Sequence, residues 1–155
     1  MRSPWTSSRT ERVTSRDWEA EIDAWTERFR EIPDPPAPFA RALRDGWDTD
    51  DRAALAAEAE AYATRHEGWL QEITAGGWDL VRLDLRDPCG ACARYAGAPY
   101  SASGATPDLP APPPLPICPA CRHTLNLLTP FFMQSLGIHP EDLAADAVPY
   151  EPIEG

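Results

Sequence analysis

The sequence predicts an α-rich α+β fold: an N-terminal helical hairpin or bundle, followed by a C-terminal zinc-binding module that contains a short β-hairpin. Two observations lead to this fold class. Apolar side chains recur every three or four residues through much of residues 15–76, which is the period of a helix. Beyond residue 76 the chain changes to alternating apolar residues and two Cys-x-x-Cys pairs, which are typical of a strand and of a metal site.

The composition shifts along the chain indicate four segments. They are a disordered tail (1–14), a helical region (15–76), a zinc-binding module with C-terminal helices (77–148) and a second tail (149–155). The first 16 residues are rich in Ser, Thr and Arg and carry a single acidic residue, Glu11. Such a composition cannot bury much apolar surface, so we expect a solvated tail. An arm that binds nucleic acid or a protein partner is the alternative.

The charge balance limits the partners that the chain can have. It contains 25 acidic and 14 basic residues, with a net charge of −11, and every basic residue is arginine. An acidic surface opposes binding to phosphate backbones, so general nucleic-acid binding is not expected. The use of arginine alone suggests a GC-rich bacterial or phage gene. We find no signal peptide and no membrane-spanning stretch, and therefore expect the protein in a reducing cytoplasm.

The first predicted helix follows the tail and can be capped by Ser15. Its apolar stripe consists of Trp18, Ile22, Trp25, Phe29 and Ile32. The proline-rich segment 33–38 ends it, and a shorter helix is expected next, with an apolar side made of Phe39, Leu43 and Trp47.

A long helix is predicted from about residue 50 to 75, opened by Asp48 or Thr49 and ended by Gly76-Gly77. Its stripe consists of Leu55, Ala59, Tyr62, His66, Trp69 and Ile73. The two stripes predict an antiparallel helical pair. They face each other in a helical core or, alternatively, provide a face for self-association or for a protein partner. His66 is expected to be a core residue rather than a ligand.

A strand is predicted over residues 78–85, where Val81, Leu83 and Leu85 alternate with other residues. It leads into the first cysteine pair. Four cysteines in two pairs predict one tetrahedral Zn²⁺ site, with these ligands: Cys89, Cys92, Cys118 and Cys121.

The two pairs are expected to differ in geometry. We expect the first pair to form a tight turn, or knuckle, in which Gly90 adopts a positive φ. Because Pro119 favours the first helical turn and residues 122–129 are compatible with a helix, we expect the second pair at a helix N-terminus. Tyr95 to Tyr100 is the expected hairpin region, and 101–116 is expected to be a solvated, proline-rich loop.

A knuckle, a hairpin and a helix that carries the last two ligands resemble a treble-clef zinc finger over residues 80–136. The cysteine region also resembles the C-terminal cysteine motif of Mu-like phage minor head proteins. The residues that carry this second resemblance are Cys89, Cys92, Gly97, Leu109-Pro110, Pro116, Cys118, Cys121 and Arg122. Leu115-Pro116 stands where that family usually has His-Pro.

Four cysteines can also serve uses other than a zinc site. A thioredoxin-like redox site needs one pair in a βαβ unit, and a [4Fe–4S] cluster is a second possibility with four cysteines. A zinc deaminase needs an open metal position and a His-x-Glu motif, and the sequence has no such motif. His123 is expected to be exposed.

Two classes of function follow. The first is a non-enzymatic, zinc-stabilised adaptor that binds a protein partner, since four thiolates close the metal site. The second is a phage-related or nucleic-acid-processing factor, or an enzyme, in which zinc braces the fold. That class would need a cleft with inward carboxylates, for which the sequence offers Asp79, Asp84 and Asp87.

Overall fold

A computed structural model describes residues 16–152, so the predicted tail 1–14 and the predicted cap Ser15 lie outside the described residues. Within this range the chain is a mixture of helices and a small sheet, as predicted. Its elements are α1 (Trp18–Arg28), α2 (Ala37–Asp45), α3 (Thr49–Ala75), β1 (Leu80–Arg86), β2 (Pro99–Ser101), β3 (Arg122–Leu127), α4 (Pro130–Leu136) and α5 (Leu143–Asp146).

The first two helices begin close to the predicted positions, but α1 ends at Arg28, before the proline-rich segment that was expected to end it. Asp17 caps α1, because its carboxylate accepts a hydrogen bond from the backbone N–H of Ala20 at 3.1 Å. Four residues of the predicted stripe are buried, namely Trp18, Ile22, Trp25 and Phe29, whereas Ile32 lies beyond the helix and is half-buried. Phe39 of α2 is fully buried and packs on Phe29, with ring centroids 4.9 Å apart.

The long helix α3 uses only part of its predicted stripe for the core. Asp48 caps it as expected, accepting hydrogen bonds from the N–H groups of Asp50 and Asp51. Leu55, Ala59 and Ile73 are buried, together with Ala63. The remaining stripe residues are half-buried or exposed: Tyr62, His66 and Trp69. The polar groups of Tyr62 and Trp69 reach across to the sheet.

The sheet has the order β2-β1-β3, and both pairings are antiparallel. Alternate residues of β1 face the core, as predicted from Val81 and Leu83. The register places each core-facing residue opposite another one: Val81 pairs with Tyr100 and Leu127, Leu83 with Leu125, and Leu85 with His123.

The predicted helix over residues 122–129 is wrong. Arg122–Leu127 is the edge strand β3, and a helix begins only at Pro130, where Thr129 provides the cap. The physical reason is the pairing with β1, which buries His123 and Leu125 while Arg122 and Thr124 stay exposed. The treble-clef arrangement, in which a helix carries the last two ligands, is therefore not found.

Residues 102–116 of the proline-rich loop form no helix or strand, but the expectation that the loop is solvated is wrong near its end. Pro113, Leu115 and Pro116 are buried there, as is the next residue, Ile117. Gly97, predicted near the hairpin turn, has a φ of +77°. After α5 the chain is irregular through Pro152, and Tyr100 Oη donates to the carbonyl of Val148 at 2.9 Å.

One hydrophobic cluster joins the helices to the sheet. It contains residues from all parts of the predicted helical region, including Ile22, Phe39 and Ile73, and residues of the predicted zinc module, including Val81 and Tyr100. All four cysteines belong to the same cluster. The cysteines thus lie in the core that the whole fold shares.

Side chains of α3 cover the outer edge of β3. The backbone N–H of His123 donates to Tyr62 Oη at 2.8 Å, and Tyr62 Oη donates to the carbonyl of the same residue. Trp69 Nε1 donates to the carbonyl of Leu125 at 2.9 Å. An edge strand whose polar groups are paired in this way does not template the addition of another strand.

We predict that Tyr62→Phe lowers the free energy of unfolding by about 1–3 kcal/mol, because it leaves a partly buried N–H and carbonyl of His123 without a partner. Urea unfolding followed by far-UV circular dichroism measures this change. Thr64→Ala is the control on an exposed position of the same helix and should stay within about 0.5 kcal/mol of wild type. Equal stability of Tyr62→Phe and Thr64→Ala would contradict the role of Tyr62.

Candidate metal centre

The first cysteine pair forms the predicted knuckle. β1 ends at Arg86, and the chain then turns so that the N–H of Cys92 donates to the carbonyl of Cys89 at 3.1 Å. The N–H of Ala93 donates to the same carbonyl at 3.0 Å. This tight turn brings the two thiols to one side of the backbone.

Gly90 is needed in this knuckle for a reason other than the predicted one. It is not among the glycines with a positive φ. Instead, a Cβ atom at Gly90 would lie 2.4 Å from the carbonyl oxygen of Pro33, which is in the link between α1 and α2. The backbone of the knuckle therefore packs directly against the backbone of the link between α1 and α2.

The second cysteine pair forms a similar turn directly before β3. The N–H of Cys121 donates to the carbonyl of Cys118 at 3.2 Å. No helix begins here, so the expectation that the second pair lies at a helix N-terminus is wrong. Each pair is instead held at the same end of the sheet, one after β1 and the other before β3.

The four sulfur atoms converge on one point. All lie within 4.8 Å of one another, and the four residues are buried. The Sγ atoms of Cys118 and Cys121 are 3.7 Å apart. A tetrahedral zinc ion with bonds of about 2.3 Å places its sulfur ligands about 3.8 Å apart, so the spacing fits a single ion.

The electrostatics of the cluster also favour a cation. Burial raises the pKa of the Cys118 thiol well above its ordinary value, and the neighbouring Cys121 and Cys89 sulfurs raise it further. Four thiolates at these distances in a core therefore require a positive ion to balance their charge. The donor set thus fits a structural metal site.

The two histidines near the cysteines differ in their surroundings. The prediction that His123 is exposed is wrong: it is fully buried, because the register of β3 directs it to the core. Burial lowers its pKa to about 4. His66 is half-buried, and its ring lies 4.4 Å from that of Tyr62. Neither histidine belongs to the group of possible metal ligands found in residues 16–152.

The three carboxylates proposed for a cleft have other roles. Asp79 accepts hydrogen bonds from the hydroxyl groups of Ser101, Ser103 and Thr106 and from the N–H of Ser103. Asp84 accepts one from Asn126 and pairs with Arg82 at 3.0 Å. Asp87 sits at the turn after β1, with a φ of +48°. Through these contacts, Asp79 and Asp84 hold loops and strands in place.

The alternation in β3 was the sequence signal that could have located His123. His123, Leu125 and Leu127 recur at every second position, which is the pattern of a half-buried strand. This alternation is hard to recognise because it is short. It lies between the second cysteine turn and Leu128, an apolar residue that breaks the alternation.

No protein-family model, curated protein or solved structure matches the chain. Among the helices in residues 16–152, none has both the length and the apolar character needed to span a bilayer. The site is therefore defined by its own geometry: a buried group of four cysteines that can hold a metal ion.

The lowered pKa of Asp79 predicts how the stability of the fold depends on pH. Burial alone would raise its pKa, but the hydrogen bonds from Ser103, Thr106 and Ser101 outweigh this and hold the pKa well below its ordinary value. The stability that the carboxylate provides is therefore present above about pH 4 and is lost as the pH falls further, because the unfolded state binds the proton first. We expect Asp79→Asn to lower stability by about 1–3 kcal/mol at pH 7.

Urea unfolding from pH 7 to pH 3, with zinc in excess, measures this difference. The gap between wild type and Asp79→Asn should stay constant down to about pH 5 and then shrink by at most about 1.4 kcal/mol per pH unit below pH 4. Asp108→Asn, an exposed change in the loop whose Ser103 and Thr106 donate to Asp79, should follow wild type throughout. A gap that is as large at pH 3 as at pH 7 would contradict the prediction.

Proposed function

We propose that the chain is a non-enzymatic adaptor whose fold is stabilised by one zinc ion bound to Cys89, Cys92, Cys118 and Cys121. The observation that carries the proposal is the convergence of four buried sulfur atoms within 4.8 Å inside the shared core. A metal ion at that position would join the two cysteine turns to the sheet and to the helices around them. Its binding energy would then contribute to the stability of the whole fold.

The choice of zinc follows from the spacing of the sulfur atoms. A tetrahedral group of four thiolates is typical of zinc or of an iron–sulfur centre. A [4Fe–4S] cluster binds each cysteine through a different iron, which holds the sulfurs farther apart than a single ion does. A largest separation of 4.8 Å supports the single ion.

The absence of an enzymatic role is supported by the closure of the site. Four protein thiolates would fill the tetrahedral positions of zinc and leave none for water or substrate. Asp79 and Asp84, which a hydrolytic site would need, are hydrogen-bonded to structural partners. We place the protein in a reducing compartment such as the cytoplasm, where thiols persist.

The adaptor role is supported by apolar side chains left on the surface. Phe131 is 80% exposed, and Trp78 and Leu136 are 44% and 46% exposed. By contrast, the predicted stripe of α1 is buried within the chain, so those side chains are not free for a partner in this structure. The alternative of a phage-related or nucleic-acid-processing factor rests on sequence resemblance in the cysteine region and on carboxylates that have structural partners, and the net charge of −11 opposes phosphate binding.

We predict one equivalent of zinc per chain by elemental analysis. Because the cysteines share a core with α1 and α2, chelation should abolish helical circular dichroism and shift tryptophan fluorescence in one common transition. Cys118→Ser should bind zinc far more weakly and unfold at lower denaturant, whereas Ser135→Ala, on exposed α4, should match wild type. A protein without metal, or one with iron–sulfur absorption, would refute the zinc site.

The adaptor role predicts a partner that depends on Phe131. A tagged chain expressed in its native host should retain a defined protein, and Phe131→Ser should lose it while keeping its zinc content and circular dichroism. Gln134→Ser, on the same short helix, is the matched control and should retain the partner. Turnover of a substrate by the zinc-loaded protein, or equal retention by all three proteins, would contradict this role.

A further inference from the structure

The segment that follows α5 is an extended piece of chain lying on the surface of the core. We call residues 147–152 the strap, and they form no helix or strand. Val148 and Tyr150 are half-buried, whereas Pro149 and Glu151 are exposed, which is the alternation of an extended segment on a surface. Val148 and Glu151 each precede a proline, and the residue before a proline favours an extended backbone. The sequence of the strap therefore keeps it extended.

Side chains that follow the first cysteine turn in sequence hold the strap. Tyr100 Oη donates to the carbonyl of Val148 at 2.9 Å, and the N–H of Glu151 donates to Tyr95 Oη at 3.1 Å. Arg94 Nη1 lies 3.3 Å from the carboxylate of Glu151, but an ion pair as exposed as this one contributes little. The strap is thus held by individual side chains and not by a strand ladder.

The strap covers one side of the first cysteine turn. Gly90 and Ala91 of that turn line the same groove as Tyr150 and Glu151 of the strap. Val148 and Tyr150 also pack against the hydrophobic cluster that contains the four cysteines. The strap therefore separates this face of the core from solvent.

Tyr95 connects the strap directly to the cysteine turn. Its N–H donates to the carbonyl of Cys92 at 3.0 Å, and its ring lies 6.2 Å from that of Tyr150. With the strap in this position, Cys89 is 4% exposed and Cys92 is fully buried. A reagent that enters through the groove meets the strap before it meets either sulfur atom.

The link between α1 and α2 lines the same groove, but it is fixed more firmly than the strap. The carbonyl oxygen of Pro33 lies so close to Gly90 that a Cβ atom there would be 2.4 Å away. The link is also held at both ends, because it continues into α1 and α2. Segments with few buried contacts open locally at a lower free energy than the whole fold unfolds. The strap is therefore the part of this face that can lift while the core stays folded.

We propose that the strap is a cover that controls access to the metal centre from the side of the first cysteine turn. This inference rests on the proposed zinc site. A competing ligand removes zinc from a closed site only after it reaches a sulfur atom, and the reactivity of cysteine depends on its exposure. The strap thus limits the rate of zinc exchange without contributing a ligand of its own.

The test compares three substitutions in the full, zinc-loaded chain. Tyr150→Ala removes the packing of the strap, and Tyr95→Phe removes the hydroxyl group that accepts from the strap while keeping the buried ring. Ala57→Gly is the control, because it lowers global stability through helix propensity alone, at an exposed position of α3 that does not line the groove. The rate of zinc transfer is measured with an excess of the chromogenic chelator 4-(2-pyridylazo)resorcinol.

We expect zinc transfer to be at least about 10-fold faster in Tyr150→Ala and about 5-fold faster in Tyr95→Phe than in wild type. Ala57→Gly should stay within about twofold of wild type. Alkylation by N-ethylmaleimide, mapped by mass spectrometry, should reach Cys89 and Cys92 before Cys118 and Cys121 in the two strap variants. Tyr95→Phe decides the question if Tyr150→Ala does not fold.

Two results would overturn the cover and leave the zinc site intact. One is a wild-type rate of zinc transfer in strap variants that each retain one zinc ion. The other is an equal acceleration by Ala57→Gly, since release would then follow global unfolding and not the lifting of the strap. Failure of wild type to bind zinc would overturn the proposed function, and the cover with it.

Discussion

Four thiol groups lie within 4.8 Å of one another inside the hydrophobic core, and the rest of the fold is arranged around them. As thiolates they would repel one another strongly in a core of low dielectric. Under the proposed function, a zinc ion would balance that charge and join two distant turns of the chain. The helices and the sheet pack on these turns, so the candidate metal site and the core are one structural unit.

The sheet shows how a small element is secured on several sides. The cysteine turns hold one end of β1 and β3, and the side chains of Tyr62 and Trp69 pair with the outer edge of β3. On the other side, the N–H of Ser101 in β2 donates to the carbonyl of Pro110. A three-stranded sheet has little core of its own. Its stability therefore comes from these contacts with the helices, the loop and the metal turns.

The helices and the convergence of the four cysteines could be predicted from the sequence, but the strand that follows the second cysteine pair could not. The stripes of α1 and α3 are long enough for their period to be clear, and the cysteine spacing indicates a metal by itself. β3 is six residues long and follows a proline-containing turn, so its local pattern also fits a helix. Pairing with β1 makes this segment a strand, and the same pairing buries His123. The need for glycine at position 90 also comes from the tertiary structure. A side chain there would collide with the carbonyl group of Pro33, which lies far away in the sequence.

The separation of the two cysteine turns has a consequence for biosynthesis. The first turn is synthesised 25 residues before the second, and it offers only two of the four ligands. A nascent chain that ends before Cys118 cannot enclose a metal ion in a four-thiolate site, although α1, α2 and α3 are already complete. Under the proposed function, a zinc ion can be enclosed only after the second turn has been synthesised, so metal binding is one of the last steps in forming the shared core.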